Sequence, residues 1–465
     1  MILNDSIFRA YDIRGEAFVD FDDDGMFVLA QGFGQYLREK LDTDDGNPKL
    51  RVLVTGDGRQ SQSEFAPALE AGLEAAGCDV VWGGTVPTPV NFFAFRDRNF
   101  DGAIQLSASH NPACDNGLKL TDREGAVCGE EIQKIKEICH FLTPTKREGI
   151  TEREDMEECI LNDYAKKIKT SVSEQKALKL VIDAGNGISG MVYPQIYRSL
   201  GHSVDELFCD LNTTFPNHQP DPERSENLRD LVQRVKEIRA DFGIAFDGDG
   251  DRAGIVLSDG TILNADKILF ILAADFLSRN PGEVIIVDAM SSATLAEKIR
   301  SIGGRVIRSK TGHSFIEEAM HEHNSLLGGE QSGHFMLGEN FYGHDDACLA
   351  GLRFLSAVEK FPALLLEVTT RWPNLLEFSE KFFAADDKKF SVLEKITEQL
   401  LRQFPTADTT DGVRIDWADG EWAIIRCSNT SPKISVRIEA RDEVSLNEKK
   451  ELFVGMLEKL LKQKK

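Results

Sequence analysis

The 465-residue chain has no Cys-x-x-Cys pair; its eight cysteines, at 78, 114, 128, 139, 159, 209, 348 and 427, are scattered singly. Such spacing speaks against a disulfide framework and against a zinc ribbon. No apolar run approaches the ~20 residues that a bilayer-spanning helix needs. The opening Met-Ile-Leu-Asn-Asp-Ser lacks the basic and apolar regions of a secretory signal. A cytoplasmic, reduced protein without a membrane partner is therefore expected. A basic excess is also missing: 54 Lys+Arg against 77 Asp+Glu give 54 − 77 = −23. That balance disfavours nucleic acid and other polyanions, so an anionic small molecule has to be held by a local basic cluster. With 41% hydrophobic and 28% charged residues the composition is that of an ordinary globular protein. The length suggests about three or four such units.

Strand-like runs alternate with helical patterns, which marks α/β units. Arg51–Thr55, Asp79–Trp82 and Gly102–Leu106 read as strands with a helix over Gln62–Ala76. Leu178–Asp183 and Phe242–Phe246 read as strands of a second unit. A third round places strands at Glu283–Val287 and Arg305–Arg308, with helices at Asp266–Ser278, Ala293–Ile302 and Ser314–His321. The end changes character: Val413–Trp417 and Trp422–Arg426 flank the hairpin signal Asp419-Gly420, Ile434–Ala440 alternates, and Val444–Leu461 is helical in period. The expected division is 1–150, 151–258 and 259–370 as three α/β domains and 371–465 as an α+β domain.

The strongest chemical signal is Asp247-Gly248-Asp249-Gly250-Asp251-Arg252, directly after an apolar strand. Three carboxylates at alternate positions of a flexible loop can converge on a hard cation, and Mg²⁺ takes such oxygen ligands with a phosphate. An EF-hand is excluded, because Arg252 stands at its sixth position and Ser258 at its twelfth. A second cluster, Ser107-Ala108-Ser109-His110-Asn111-Pro112 with Lys119 beyond, also follows a strand; its serine is a nucleophile, a phosphate carrier or part of a plain turn. The G-x-S-x-G elbow of hydrolases is absent. Glu330, Ser332 and His334 alternate in Gly328–His334, so an extended loop would face them one way, towards sugar hydroxyls; a glycine turn is the competing reading. Lys310-Thr311-Gly312-His313 adds a Lys/His pair. Arg426-Cys427-Ser428-Asn429-Thr430-Ser431-Pro432-Lys433 combines hydroxyls, an amide and a guanidinium that can chelate phosphate, or is only a strand-end turn. At the start, Ile7–Gly15 carries Arg9, Tyr11 and Arg14, which amphipathic strand alternation explains equally well.

These segments, with Thr85-Val86-Pro87-Thr88-Pro89, occur in an order that resembles the α-D-phosphohexomutase superfamily, most closely its bacterial phosphomannomutase/phosphoglucomutase branch. The resemblance runs from residue 7 to about residue 440. It implies four domains around a cleft, three related α/β units and a C-terminal α+β lid. It implies that Ser109 carries phosphate and that Asp247, Asp249 and Asp251 hold Mg²⁺ with it. Lys119 and His313 are implied in proton transfer, with Arg14, His110 and Arg252 supporting the phosphoserine. Tyr11, Lys310, Glu330, Ser332 and His334 are implied in substrate binding, and Arg426, Ser428, Asn429 and Thr430 in gripping the non-reacting phosphate. The implied reaction moves phosphate between C1 and C6 of mannose or glucose phosphates through a hexose 1,6-bisphosphate, which also serves as activator.

Two departures bear on the sugar. Asp288-Ala289-Met290 replaces the branch's usual Asp-x-Lys-Cys, and Gly56 stands where Arg commonly precedes Asp-Gly-Arg. The alternatives are a phosphoglucosamine mutase, a catalytically silent sugar-phosphate binder and a metal-dependent phosphatase. Despite the net charge of −23, the motifs are expected to gather Arg9, Arg14, Lys119, Arg252, Lys310, Arg426, Lys433 and Arg437 at one site.

Overall fold

The computed structural model describes residues 1–41, 49–144, 154–428 and 432–462. The chain divides into two compact units, one of Met1–Asn264 with Ser332–Glu359, the other of Ala265–Gln331 with Lys360–Lys465.

The first unit holds two sheets. In one, the parallel neighbours Gly102–Leu106, Arg51–Gly56 and Asp79–Thr85 form the centre, and Asp115–Asp122 and then Ile13–Glu16 extend it antiparallel. All five residues of Gly102–Leu106 are buried. A strand covered on both faces in this way reads as a continuous apolar run rather than an alternation. In the other sheet Phe242–Phe246 lies parallel to Lys179–Asp183 and antiparallel to Ala253–Leu257. The loops that carry Ser109 and the three aspartates thus leave the carboxyl ends of central strands, where open α/β sheets place their sites. In the second unit Val284–Asp288 runs parallel to both Arg305–Ser309 and Leu327–Gly329.

The last sheet is antiparallel in the order Leu376–Phe383, Lys433–Ala440, Trp422–Cys427, Val413–Asp416. Helices Asp386–Gln403 and Glu443–Lys462 cover it; Ile396, Leu400, Phe453 and Leu457 are fully buried against Val413, Ile425, Ile434 and Val436. The Asp419-Gly420 hairpin is formed, with φ of +60° and +77° at the two residues. Several elements went unread in the sequence, and three of them show why. The acidic stretch after residue 20 starts helix Asp23–Lys40, where the Asp22 side chain accepts from the Gly25 N–H. Asp115–Asp122, beyond the serine cluster, is a strand. Leu376–Phe383 escaped notice because it is mostly exposed, and Glu380 interrupts the face through which Phe378 and Phe382 pack on the core.

Candidate active site

Ser109 sits in a left-handed conformation, φ +49°, and its N–H donates to Ser107 Oγ at 2.9 Å. This bend turns its hydroxyl towards the carboxylate loop: Ser109 Oγ donates to Asp247 Oδ2 at 2.8 Å and lies 3.2 Å from His110 Nδ1. The two loops touch closely, since a Cβ on Gly248 would stand 2.4 Å from the Ser109 carbonyl oxygen. Glycine there is a requirement of that approach.

Asp247, Asp249 and Asp251 are all fully buried. Asp247 Oδ1 accepts the N–H groups of Gly250, Asp251 and Arg252 at 3.0–3.1 Å, so the first carboxylate shapes its own loop. Asp249 Oδ2 takes Thr88 Oγ1 at 2.5 Å, Ser107 Oγ at 3.1 Å and Lys119 Nζ at 2.6 Å, and Lys119 Nζ is also 2.5 Å from Asp251 Oδ2. Burial and the two neighbouring aspartates push Asp247 well above the usual carboxylate range. Burial acts the same way on Asp249, but Lys119 and Thr88 outweigh it and hold that group low. Burial also opposes the Lys119 ammonium, and the pair of carboxylates overrides it and raises Lys119.

One oxygen from each aspartate lies within 4.8 Å of the others, and Asp249 Oδ1 and Asp251 Oδ1 are buried without a hydrogen-bond partner. Buried acceptors with no donor are costly. An all-oxygen set of this kind suits a hard divalent cation, so the residues fit Mg²⁺.

Strand pairing sets the flanking cations. Lys119 faces Gln105 across the antiparallel ladder, and Arg14 faces Gly117. Arg14 pairs with Asp12 at 2.6 Å and reaches Asn111 Oδ1 at 3.3 Å; half-buried Tyr11 precedes this pair. His110 is driven well below its ordinary value by burial and by the charges of Arg252 and Arg14.

Sequence reading missed Arg59. Its guanidinium is buried, and its five N–H donors reach the carbonyls of Ser109 (2.7 Å), Asn111 (2.9 Å), Pro112 (2.6 Å) and Asp115 (2.8 Å) and the Asp57 carboxylate (3.2 Å). It is the clamp of the serine loop. The available signal was Asp57-Gly58-Arg59 directly after an apolar strand.

The segment after Leu327–Gly329 corrects an expectation. It is a turn with Gly333 at φ +96°, so Glu330 and His334 do not share a face by alternation. Buried Glu330 accepts the Gly312 N–H beside half-buried His313, the first residue of helix His313–Glu322. Ser332 is half-buried in the turn, while His334 is delivered to the carboxylate loop, 2.9 Å from Arg252 Nε.

In the second unit Arg426 is buried, with Nε donating to Asp411 Oδ2 at 2.6 Å; the same oxygen accepts the Thr311 N–H at 3.0 Å. Ser428 is pinned through its carbonyl by Lys389 Nζ at 2.8 Å. Lys310 is exposed, its ammonium 5.7 Å from the Phe315 ring. Asn429 and Thr430 lie outside the described residues. Arg437, expected in the basic cluster, is instead buried between Glu377 (3.2 Å) and Glu439 (3.1 Å) beside Trp422. Its charge is spent inside the sheet.

Family models match along the chain in order: phosphoglucomutase/phosphomannomutase α/β/α domain I at residues 5–144, domain II at 161–260, domain III at 264–374 and the C-terminal domain at 379–455. The chain is 38% identical over 453 residues to the phosphomannomutase/phosphoglucomutase of Pseudomonas putida, covering 97% of this chain and 95% of that protein. It is 34% identical over 460 residues to a phosphoglucomutase of Neisseria meningitidis, covering 97% and 96%. The crystal structure of a phosphoglucomutase/phosphomannomutase family protein from Burkholderia thailandensis superposes with a TM-score of 0.86 at 35% identity, over 99% of this chain and 98% of that one. No helix among the described residues is long and apolar enough to cross a membrane. With four domain models matched in sequence and relatives aligned almost end to end, the chain belongs to the phosphoglucomutase/phosphomannomutase family.

Proposed function

We infer that the chain is a hexose-phosphate mutase that moves phosphate between C1 and C6 of mannose or glucose phosphates, with Ser109 as the carrier. The observation that carries this reading is Ser109 Oγ, 2.8 Å from Asp247 Oδ2 on a loop of three buried aspartates. Asp247, Asp249 and Asp251 would hold Mg²⁺ with a Ser109 phosphate oxygen; the cation supplies neutralisation of charge on the transferring group.

Phosphoryl transfer asks the protein mainly for alignment and charge compensation. Arg14, His110 and Arg252 surround Ser109 for that purpose. Lys119 and His313 are the proposed proton carriers at the reacting hydroxyl. Tyr11, Lys310, Glu330 and Ser332 supply substrate-facing polar groups, with His334 acting through Arg252. Arg426, Ser428, Asn429 and Thr430 grip the phosphate that is not reacting. The hexose 1,6-bisphosphate formed when Ser109 donates its group has to turn over so that the other phosphate returns to Ser109, and added bisphosphate acts as activator. In the division 1–150, 151–258, 259–370 and 371–465, the Ser109 loop falls in the first domain, the aspartate loop in the second, the Glu330–His334 segment in the third and the Arg426 loop in the fourth.

Met290 stands where the branch usually has lysine; its side chain packs against the cluster of Ala289, Ala293, Trp422 and Ile424, its N–H donates to Asp288 at 3.2 Å and its carbonyl accepts from Arg437 at 3.4 Å. This leaves the phosphoglucosamine reading as the rival. Rates on mannose 1-phosphate, glucose 1-phosphate and glucosamine 1-phosphate with bisphosphate separate the two. Higher kcat/KM on the unsubstituted hexoses is expected; preference for the amino sugar overturns the assignment. Release of inorganic phosphate without isomerisation makes the protein a phosphatase instead.

A further inference from the structure

Three side chains in the first unit, buried Asp345 and His334 and half-buried Arg252, form a line that ends at the carboxylate loop. Asp345 Oδ2 is 2.7 Å from His334 Nδ1, and His334 Nε2 is 2.9 Å from Arg252 Nε. The side chains of His334 and Asp345 are only 4% and 6% exposed, so water does not compete for these bonds.

The chemistry of the donors fixes the ring. A guanidinium has no lone pair to offer, so Arg252 Nε–H must donate and His334 Nε2 must be the bare nitrogen. The remaining ring proton is on Nδ1, facing a carboxylate oxygen that accepts it. We propose that Asp345 is a positioning residue: it holds His334 as the neutral Nδ1–H tautomer, and Nε2 of that ring then fixes the Arg252 guanidinium for the phosphoryl group carried by Ser109. The last clause rests on the mutase reading above.

The fold builds this line from both ends. Arg252 and His334 form an antiparallel backbone bridge, and the Ala253 N–H donates to the Gly333 carbonyl at 3.1 Å. A second bridge joins Met336 to Asp345. The next residue, Asp346, starts helix Ala347–Lys360: its Oδ1 accepts the Leu349 N–H at 2.8 Å, and Tyr164 Oη donates to the same carboxylate at 2.9 Å. Asp345 is therefore anchored on both sides. At the far end Arg252 Nε is 3.9 Å from Asp247 Oδ2, the atom that receives the Ser109 hydroxyl. The Arg252 charge acts on His110, which adjoins that serine, and on Arg14. Tying Nε leaves a planar guanidinium one orientation in which to present its paired terminal donors, the feature that distinguishes Arg from Lys at phosphate.

A metal ion is the competing occupant, since Asp251, His334 and Asp345 also bring ligand atoms within 4.8 Å of one another. Metal on Nδ1 would force the proton onto Nε2, leaving two N–H donors 2.9 Å apart. The observed bond to Arg252 selects the proton over the metal.

Two measurements test the proposal. In the whole protein with histidine ¹⁵N-labelled, His334, assigned by its loss in H334Q, is expected as the Nδ1–H tautomer at neutral pH. Any other protonation pattern, or loss of the Nδ1–H signal when Zn²⁺ is added at equimolar concentration, overturns the proposal. This measurement is independent of the reaction catalysed, so it stands if the mutase reading falls. Kinetically, D345A is expected to lose on the order of 10- to 100-fold in kcat, as a misplaced group does, with KM nearly unchanged. H334Q, whose amide oxygen can still accept from Arg252, is expected to retain much more activity than H334A. Equal losses in H334Q and H334A, in variants that melt like the parent, contradict a positioning role and point to proton transfer or substrate contact by the imidazole itself.

Discussion

Arg59→Lys keeps a positive charge and removes a shape. All five guanidinium N–H groups are used, four on carbonyls of the serine loop and one on Asp57. An ammonium has three donors radiating from one atom, so at least two of these bonds disappear. At roughly 1.5–3 kcal/mol for a hydrogen bond to a charged group, the loss is about 3–6 kcal/mol. The abandoned carbonyls lie in a buried loop, so water does not fully repay it. On a scale of roughly 2–4 °C per kcal/mol, the first unit should melt at least about 6 °C lower. The serine loop relaxes as well, and a shift of about 1 Å at the carrier oxygen costs on the order of 100-fold in turnover. Differential scanning calorimetry and a coupled mutase assay read the two effects. An R59K protein that melts within about 2 °C of the parent and turns over at a similar rate refutes the clamp assignment.

Two further perturbations probe the same unit. K119M removes the cation between Asp249 and Asp251; breaking a buried pair costs about 3–5 kcal/mol, and Mg²⁺ at 100 times its Kd returns about 2.7 kcal/mol. The melting temperature of K119M should therefore rise more on adding MgCl₂ than that of the parent, and equal shifts would contradict a metal site at these aspartates. His344 is fully buried between Phe92 and Phe341, and burial lowers it from 6.5 to about 3. With the folded value below the unfolded one, its contribution is complete above pH 6.5 and is lost as pH falls, about 2 kcal/mol between pH 7 and 5. H344F should show a flatter decline in melting temperature over that interval; an unchanged slope would mean that His344 takes up its proton in the folded state.

The sequence made the chemistry of the first unit readable wherever a loop follows a buried central strand. Phe242–Phe246 is apolar throughout and Gly102–Leu106 at every position but Gln105, so the polar residues after them stand out. Side-chain direction was less legible. The sequence places Lys119 only beyond the serine cluster; pairing of Asp115–Asp122 with both Gly102–Leu106 and Ile13–Glu16 makes it a strand residue despite the turn chemistry of Asp115-Asn116-Gly117. The alternation of Glu330, Ser332 and His334 assumed an extended chain, and the positive φ of Gly333 breaks it. Arg59 and Arg437 show opposite failures of counting charges. One was overlooked although it organises the serine loop; the other was counted towards the site although Glu377 and Glu439 neutralise it within the sheet. Asp345 could not have been found from spacing, since its role depends on two backbone bridges formed far apart in the chain.

Phosphate on Ser109 is the central claim, and intact-mass and peptide mass spectrometry of the purified protein test it most directly. The protein incubated with hexose 1,6-bisphosphate should carry one phosphate, located on the peptide containing Ser109, and should lose it to unlabelled hexose phosphate on the timescale of turnover. S109A should acquire none and lose nearly all mutase activity while melting like the parent. Phosphate on another residue, or near-normal turnover by S109A with bisphosphate present, would contradict the account.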